Sequence, residues 1–491
     1  MAALPDSMRF TGPLPAVTDL RSYTVESQSL SLSYSVGAST SDTVQITIPA
    51  IANGFLDPAT LYLHGTFTNT STDALGGNTA VRFSGSAQSL ITRHDLYSGQ
   101  SSSALLQSLD NYNVLAQELL DMEGPTFQTG QFTMLGGVSN STNKIQVTTT
   151  EVHGNILAGP ATIGVPVLGA LARHGRQIAG QGISGVATQA TQTGTNFSTE
   201  EAGNQVNFAI PVLSPLGVFG TKAVPLAVGF TNFFYLASGT VSLQVPPLSA
   251  NLGYGGSPQG TLTNLRMVYR VIETPPPLTA ALFASAGGGP LQIPVTNWVS
   301  STGVHPANQS TNSILLGVAA ASAKSLLFGF RPTNNLSNVN ADTIANRVNP
   351  CLDQWWLQIG SSVLPVNKVR SDAQTFATLL QSRHMLNVKT PVALCANTWT
   401  QTTGATYMTG NSFTANIVGP SGSWLAGMDL DQVTGKTDSV ISGLNLNGQI
   451  VTVNLQWPTG NVPSSALQFN AHIERNALLS FQPGAGFQVA Y

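Results

Sequence analysis

The sequence predicts an all-β protein made of two similar sandwich domains in tandem. Three observations support this prediction: segments of alternating apolar and polar residues, a scarcity of surface helix formers, and a repeated order of elements. Of the 491 residues, 8% are charged and 42% are hydrophobic, with 48 Gly and 28 Pro. Because an ordinary soluble domain carries about 25% charged residues, this surface must consist largely of Ser, Thr, Asn and Gln. Such a surface suits a protein that is covered by neighbours, since interface cores are depleted in charge.

Strand-like segments recur along the whole chain. Apolar residues occupy every second position of these segments, and the positions between them commonly hold Thr, Asn, Gln or Ser, so that one face is apolar and the other is mostly polar. This pattern is typical of antiparallel sheets that pack one face on a core. We therefore expect sheets packed face to face in pairs. The segments span residues 43–48, 240–245, 264–271, 325–330, 354–360, 451–457 and 467–473.

Two segments have helical spacing of apolar residues instead. They run from Ser102 to Met122 and from Ser371 to Met385, and the second opens with Ser and Asp, which favour a helix N-terminus. Each segment follows a pair of strands at a similar place in its half of the chain. We therefore expect one short helix in each domain.

The order of these elements repeats, which indicates a tandem duplication. The strand near Leu61 and the first helix match the strand near Leu326 and the second helix at an offset of about 265 to 270 residues. Further on, the segment near Val241 matches the segment near Val451 at an offset of about 200 to 210 residues. The first copy therefore holds about 60 extra residues, which we place in a Gly-, Ala- and Thr-rich loop at 141–204.

A boundary rich in Pro and Gly separates the two copies. The run Thr274-Pro-Pro-Pro277 cannot continue a strand ladder, and Gly287 to Pro290 complete a linker. The predicted organisation is an N-terminal arm at 1–22, a first domain at 23–273 with the inserted loop at about 141–204, a linker at 274–290 and a second domain at 291–491. The N-terminal residues lack a basic region followed by an apolar core, so we expect no secretory signal.

Several segments resemble double jelly-roll major capsid proteins of viruses. The run from Ser84 to Met122, which includes LDNYNVLAQELLDM, is similar to a strand and helix segment of that family, and NFAIPVLSPLGVFG at 207–220 with AVPL at 223–226 is similar to another. Further similar segments are 265–273, 324–331 and 425–446. The likeness covers most of the chain and points to capsid proteins of polinton-like viruses, adintoviruses and yaravirus. The loop at 141–204 departs from it.

The resemblance implies a fold and a role. The fold would be two tandem eight-stranded jelly rolls, with a short helix in each and long loops. Homotrimers would form pseudo-hexameric capsomers that tile an icosahedral shell, so the protein would reside in the virion after assembly inside the host cell. Its partners would be copies of itself, penton proteins and minor capsid proteins, and an internal membrane is left open. With 19 Lys and Arg residues, we expect little direct nucleic-acid binding.

The sequence motifs that could indicate chemistry lack the required context. A G-x-G-x-x-G match at 180–185 lacks the preceding strand and the βαβ unit of a dinucleotide site. Asp429 and Asp431 offer too few oxygen ligands for a metal cage. His94 and His472 have no nucleophile beside them, and we expect both to lie at the surface or in an interface. We therefore predict no catalytic residue, no cofactor and no metal.

Two groups of residues are candidates for interfaces. Arg173, His174 and Arg176 form a basic cluster inside the long loop. The cluster either contacts a neighbouring capsomer, an anionic lipid or a genome phosphate, or it is a solvated loop tip. Trp355 and Trp356 put one ring on each face of a strand. One ring belongs to a core, and the other needs an adjacent domain or subunit to cover it.

The alternative function is a jelly-roll protein that binds or cleaves carbohydrate. Such an enzyme needs a pair of acidic residues flanking the scissile bond, and we would expect aromatic rings to line its cleft. Aromatic residues make up only 7% of this chain and are dispersed. We therefore favour a structural shell protein without enzymatic activity.

Overall fold

The computed structural model of the chain contains four antiparallel β-sheets, arranged as two sandwiches, and a separate two-stranded ribbon. The structure describes residues 20–37, 40–70, 82–83, 86–99, 104–122, 135–136, 205–236, 243–244, 259–285, 289–333, 336, 344, 347–386, 424–431, 443–459, 462–482 and 486–490.

The first sandwich, called roll 1, is built from the strands before residue 274. These are β1 (Arg21–Gln28), β2 (Ser33–Gly37), β3 (Thr40–Ser41), β4 (Thr43–Ile48), β5 (Gly54–Asn69), β6 (Arg82–Phe83), β7 (Ile91–Ser98), β8 (Ala104–Asp110), β9 (Gln205–Pro211), β10 (Val224–Pro225), β11 (Phe230–Leu236), β12 (Leu243–Gln244) and β13 (Gln259–Glu273). One sheet has the order β10-β5-β13-β2-β3, with β1 on β13 and β9 on β5. The other has the order β4-β11-β7-β8, and β12 pairs with β6.

The second sandwich, called roll 2, is built from the strands after residue 290. These are β14 (Leu291–His305), β15 (Thr311–Leu316), β16 (Ala323–Pro332), β17 (Gln354–Ile359), β18 (Ser362–Val369), β19 (Ala426–Asp429), β20 (Val451–Gln456), β21 (Leu467–Gln482) and β22 (Gly486–Ala490). One sheet has the order β14-β21-β16-β19, with β22 on β21, and the other has the order β15-β20-β17-β18.

Both rolls have the same strand order, which is that of a jelly roll. Strands β1 and β2 both pair with β13 and together act as the first strand of roll 1. The eight main strands of each roll then follow the order 1-8-3-6 in one sheet and 2-7-4-5 in the other. We call the sheet that holds the first and last strands the terminal sheet and the other the central sheet. The predicted fold class, two tandem eight-stranded jelly rolls, is confirmed.

The core of each roll lies between its two sheets, as the alternation predicts. In β4, Val44, Ile46 and Ile48 are at most 1% exposed, while the intervening residues are only half-buried. In roll 2 the core is aromatic: the Phe328 ring centre lies 5.0 Å from that of Trp355 and 5.3 Å from that of Phe469. Burying rings of this size dominates the packing energy of such a core.

Three α-helices and a short 3₁₀ helix (Ala87–Leu90) accompany the sheets: α1 (Tyr112–Asp121), α2 (Pro276–Ser285) and α3 (Asp372–Ser382). The first predicted helix is too long, because its N-terminal half is strand β8. In a regular strand, residues three positions apart lie on opposite faces. Leu106 and Leu109 nevertheless both point into the core, because a bulge interrupts the pairing of β8 with β7 near Tyr97. That bulge imitates helical spacing in the sequence.

The connection between the rolls, predicted as a linker that could not continue a strand, contains helix α2. Prolines suit the first turn of a helix, because the amide hydrogens that they lack have no partner there. The Leu278 amide donates to the Pro275 carbonyl at 2.9 Å and starts the helix. The division of the chain into domains stays a prediction.

One element of the predicted repeat was matched wrongly. The counterpart of β20 is β11, because β11 pairs with β4 and β7 as β20 pairs with β15 and β17. Of the segment near Val241, the described part is β12, which pairs with β6. The alternation of apolar and polar residues does not mark β11 as a strand, because Phe233 and Tyr235 make its outer face aromatic.

Candidate interaction surfaces

The two adjacent tryptophans of β17 lie in different surroundings. Trp355 is 1% exposed, and its indole Nε1 donates to the Thr375 hydroxyl at 3.1 Å. It is therefore the ring of the pair that was expected in a core, and it lies in the core of roll 2. Trp356 is half-buried on the outer face of the central sheet, with the Lys368 Nζ 3.7 Å from its ring centre. Of the two, only Trp356 stays an interface candidate.

The basic cluster Arg173, His174 and Arg176 lies outside the described residues. The same holds for the whole inserted loop at 141–204 and for the G-x-G-x-x-G match at 180–185. The proposed contacts of these residues therefore stay predictions.

Both candidate histidines are fully buried. The expected position at the surface or in an interface is wrong for His94, whereas His472 lies in an interface, the one between the two rolls. His94 lies in the core of roll 1, with its Nε2 3.1 Å from the Asn232 Oδ1 and its ring stacked on Phe234 at 4.6 Å. Burial lowers the pKa of His94 to about 4, so the ring is neutral at pH 7. His472 points outward from β21, as expected, but roll 1 covers that face.

Roll 1 and roll 2 meet along a contact that we call the seam. Gly220 and Val295 form an antiparallel bridge across it. Beside this bridge the Thr296 amide donates to the Phe219 carbonyl at 3.2 Å. The two rolls are thus joined by backbone hydrogen bonds as well as by side chains.

The last strand, β22, strengthens the seam at one end. Phe487 is 1% exposed, and its ring centre lies 5.0 Å from that of Phe230 in roll 1 and 4.8 Å from that of Phe481 in roll 2. The Phe487 amide also donates to the Ser98 hydroxyl of roll 1 at 3.3 Å. This strand therefore belongs to the terminal sheet of roll 2 by its pairing with β21 and is also hydrogen-bonded to and packed on roll 1.

A cluster of charged and polar side chains is buried in the seam. Arg347 donates to the Asp121 carboxylate at 2.6 Å, and the Glu118 carboxylate lies 3.6 Å from the His472 Nε2. Arg331 lies beside them, and all five residues are at most 5% exposed. Helix α1 supplies both acids, while roll 2 supplies the bases. Breaking such a buried pair leaves an uncompensated charge, which is strongly destabilising.

Burial sets the protonation of this cluster. It raises the pKa of Glu118 to about 8, against the attraction of Arg347 and Arg331, which favours the charged form. It lowers the pKa of Arg331 to about 10. Burial, together with repulsion from the two arginines, lowers the pKa of His472 to about 3. His472 is therefore uncharged at neutral pH.

Of this cluster, the sequence had singled out His472 alone. Glu118 and Asp121 belong to the apolar pattern of a predicted helix, and Arg347 lies 226 residues from Asp121 along the chain. The available signal was the occurrence of two acids within the apolar run ELLDM, in a chain with only 8% charged residues. Acids in such a run indicate buried partners, since charged residues are rarely buried unless paired.

The two predicted carboxylates of roll 2 contact residues of the same roll. The Asp429 Oδ1 accepts from the Asp431 amide at 2.9 Å, and the Asp431 Oδ2 lies 3.9 Å from the His384 Nε2. Within the described part of the chain, no three His, Cys, Asp or Glu side chains come together in a way that could hold a metal.

A cleft of about 470 Å³ opens along the seam. Its walls come from both rolls and are mostly apolar, with Leu119, Phe219 and Trp298 among them. Among the described lining residues, Glu474 is the one carboxylate, and it is paired with Arg383 at 2.7 Å. The cleft therefore lacks, in its described lining, the acidic pair that carbohydrate cleavage would need.

The two rolls contribute different surfaces to the seam. Roll 1 contributes α1, β8 and the segment after β9, and the Asp110 carbonyl of β8 accepts from the Ser300 hydroxyl. Roll 2 contributes the outer face of its terminal sheet, which carries Trp298, His472 and Arg331. Each of these surfaces has a counterpart in the other roll. The counterpart of α1 is helix α3 of roll 2, and the counterpart of the terminal sheet of roll 2 is the outer face of the terminal sheet of roll 1. Both present exposed residues among those described.

The fold is shared with solved virus structures over the whole chain. The Faustovirus major capsid protein matches with a TM-score of 0.55 and 10% identity, over 98% of this chain and 93% of that one. A chain of the Sputnik virophage structure matches with a TM-score of 0.55 and 11% identity, over 100% and 92%. The mavirus major capsid protein matches with a TM-score of 0.50 and 8% identity, over 100% and 95%. At these identities the likeness establishes the double jelly-roll fold.

Comparison of the sequence alone gives no relatives: no protein-family model and no curated protein matches the chain. Within the described residues, no helix has both the length and the hydropathy that crossing a bilayer requires.

Proposed function

We propose that this chain is a viral major capsid protein, whose homotrimers form pseudo-hexameric capsomers that tile an icosahedral shell. The observation that carries the proposal is the seam, in which two similar rolls pack through different surfaces. The full-length likeness to capsid proteins of Faustovirus and mavirus supports the same role.

A contact between unlike surfaces of similar units repeats until it closes a ring or extends as a filament. Each chain uses one such contact internally and leaves one surface of each kind exposed. Three chains joined in this way place six similar rolls in a ring. A finite ring of this kind is the building block that a closed shell requires.

The composition of the chain fits this role. Only 8% of the residues are charged, which suits a protein that is covered by neighbours, since interface cores are depleted in charge. The cluster of buried ions in the seam has a structural role in this proposal, and the chain catalyses no reaction and needs no cofactor. The protein is then located in the virion, after assembly inside the host cell.

Further partners follow from the same proposal. Penton and minor capsid proteins would complete the shell, and an internal membrane is a separate question. Arg173, His174 and Arg176 would contact a neighbouring capsomer, an anionic lipid or a genome phosphate, or form a solvated loop tip. Direct binding to the genome is expected to be weak, because affinity depends on the number of phosphates that Lys and Arg neutralise.

Sedimentation of the purified chain tests the proposal. We expect a species with three times the chain mass of 51.2 kDa at micromolar concentration, because permanent interfaces bury more than about 2,000 Å². A protein that sediments only as a 51.2 kDa monomer would refute the capsomer. A stable dimer would refute it as well.

A further inference from the structure

We infer that neighbouring chains meet through a copy of the seam, in which helix α3 of one chain packs on the outer face of the terminal sheet of roll 1 in a second copy. The inference rests on the proposed function and goes beyond it, because it names the two surfaces and a residue pair. The first step is the match between α1 and α3. The second step is the match between the two terminal sheets.

Helices α1 and α3 occupy the same place in their rolls. Each follows the fifth strand, precedes the sixth and begins one residue after its cap, which is Asn111 in α1 and Ser371 in α3. Counting from these caps, Thr378 holds the position of Glu118, and Gln381 holds the position of Asp121. Gln381 is exposed and Thr378 is half-buried, whereas both acids of α1 lie under roll 2.

The outer faces of the two terminal sheets correspond in the same way. In β13, Leu265 and Met267 point into the core, as Leu467 and Phe469 do in β21. On the opposite face of the strand, Arg270 then holds the position of His472. Arg270 is exposed, whereas His472 is fully buried in the seam.

The neighbouring strand β1 extends this open face. Its burial pattern shows seven of eight residues exposed or half-buried, and Thr24 pairs with Arg270 in the sheet. Glu26 lies 3.2 Å from Arg266, so it neutralises one of the two arginines of this face. On the other side of β13, Asp57 of β5 is the sheet partner of Arg270. The open face is therefore polar, and Arg270 is its exposed cation.

The two matches together define the contact. Glu118 lies 3.6 Å from His472 inside the chain, so Thr378 of one chain is expected to face Arg270 of a second copy. The intrachain contact joins acids to arginines, whereas the contact between chains joins a neutral stretch of helix to an arginine. A charge placed at position 378 should therefore change the strength of association in a direction set by its sign.

The test is a charge exchange across the inferred contact, followed by sedimentation of each variant. Thr378→Arg should weaken trimer association about tenfold or more, because like charges across an interface are costly. Thr378→Glu should leave the trimer intact or strengthen it. Adding Arg270→Glu to Thr378→Arg should restore association. Thr311→Arg, on the exposed edge strand β15 at the far edge of the central sheet from β18, is the matched control and should leave the trimer unchanged.

Each outcome decides one point. If the unmodified chain forms trimers and Thr378→Arg does not weaken them, the inferred contact is wrong while the proposed function stands. The same conclusion follows if Thr378→Arg weakens the trimer and Arg270→Glu does not rescue it. Thermal unfolding of every variant shows whether it folds, and Thr378→Glu supplies a folded variant if Thr378→Arg does not. A monomeric unmodified chain would refute the proposed function itself.

Discussion

Helices α1 and α3 occupy equivalent positions and have opposite surroundings. In α1, nine of the ten residues are buried, while in α3 only Thr375, Leu379 and Ser382 of the eleven residues are buried. The difference arises because roll 2 covers α1, whereas no third roll in the described part of the chain covers α3. A duplicated chain thus makes the contact between rolls once and leaves one surface of each kind for a neighbour.

The chemistry of the two helices follows these surroundings. Glu118 and Asp121 can be buried in α1 because Arg331 and Arg347 reach them from roll 2. Helix α3 has no acid after Asp372 in its first turn, where a negative charge favours the helix N-terminus. Charged side chains are thus buried at the contact between the two rolls, where their partners belong to the same chain.

The largest loss of unfolding free energy is expected from a substitution in the core of a roll. Phe469→Ala removes a fully buried ring that packs 5.5 Å from Phe330, which should cost about 3–5 kcal/mol of unfolding free energy and abolish soluble trimer. Urea unfolding, followed by tryptophan fluorescence, measures this cost. Phe376→Ala on the half-buried face of α3 is the control and should cost less. Equal costs would contradict the difference in burial.

The next largest effect is expected in the seam. Arg347→Ala leaves the buried Asp121 carboxylate without its partner at 2.6 Å and should cost about 3 kcal/mol. The control is Arg266→Ala, whose side chain is 28% exposed and pairs with Glu26 within roll 1, away from the seam. This variant should cost less in the same urea titration. A seam variant as stable as the control would show that the cluster does not hold the rolls together.

The seam should also make stability depend on pH, with opposite signs for its two main titrating groups. The pKa of Glu118 is raised from 4.5 to about 8, so its stabilising contribution is full below pH 4.5 and is lost as the pH rises to 8. The pKa of His472 is lowered from 6.5 to about 3, so its contribution is full above pH 6.5 and is lost as the pH falls. Between pH 4.5 and 6.5 the two trends oppose each other, and His94 adds to the loss on the acidic side.

We therefore expect the Tm to fall between pH 6.5 and 8 because of Glu118. Glu118→Gln should remove that fall, while Glu26→Gln on the open face of roll 1 should retain it. Scanning calorimetry at half-unit pH steps measures the difference. An unchanged alkaline fall in Glu118→Gln would exclude this residue as its cause.

The smallest effect on folding is expected at Trp356. Its ring is half-buried and its described contact with charge is the Lys368 ammonium at 3.7 Å, so Trp356→Ala should cost about 0.5–1 kcal/mol. The predicted cover of this ring by an adjacent subunit implies that Trp356→Ala should also reduce the number of shells seen by electron microscopy, without dissociating the trimer. Lys368→Ala is the matched variant. Dissociation of the trimer by Trp356→Ala would move this contact into the capsomer.

The fold could be predicted from the sequence because its signals are local. Strands such as β4 and β21 alternate strictly, and two copies of the same order of elements reveal the duplication. Errors occurred where the local pattern was misleading: the bulge beside β8 imitated a helix, and the aromatic outer face of β11 concealed a strand.

The contacts between the rolls could not be predicted, because they depend on which outer faces meet. His472 alternates as a polar residue of β21 and was expected at a surface or interface, but its partner Glu118 on the other roll could not be named from the sequence. The alternation of a strand distinguishes its inner face from its outer face. The alternation does not show whether an outer face is exposed to solvent or packed against the other roll of the same chain.

Electron microscopy of the purified chain tests the central claim most directly, which is that one contact between unlike surfaces is made within and between chains. The account predicts particles with three copies of the chain and six lobes of similar size around a closed ring. Averaged views in which the chains meet through identical surfaces, or in which single chains show only two lobes, would contradict it.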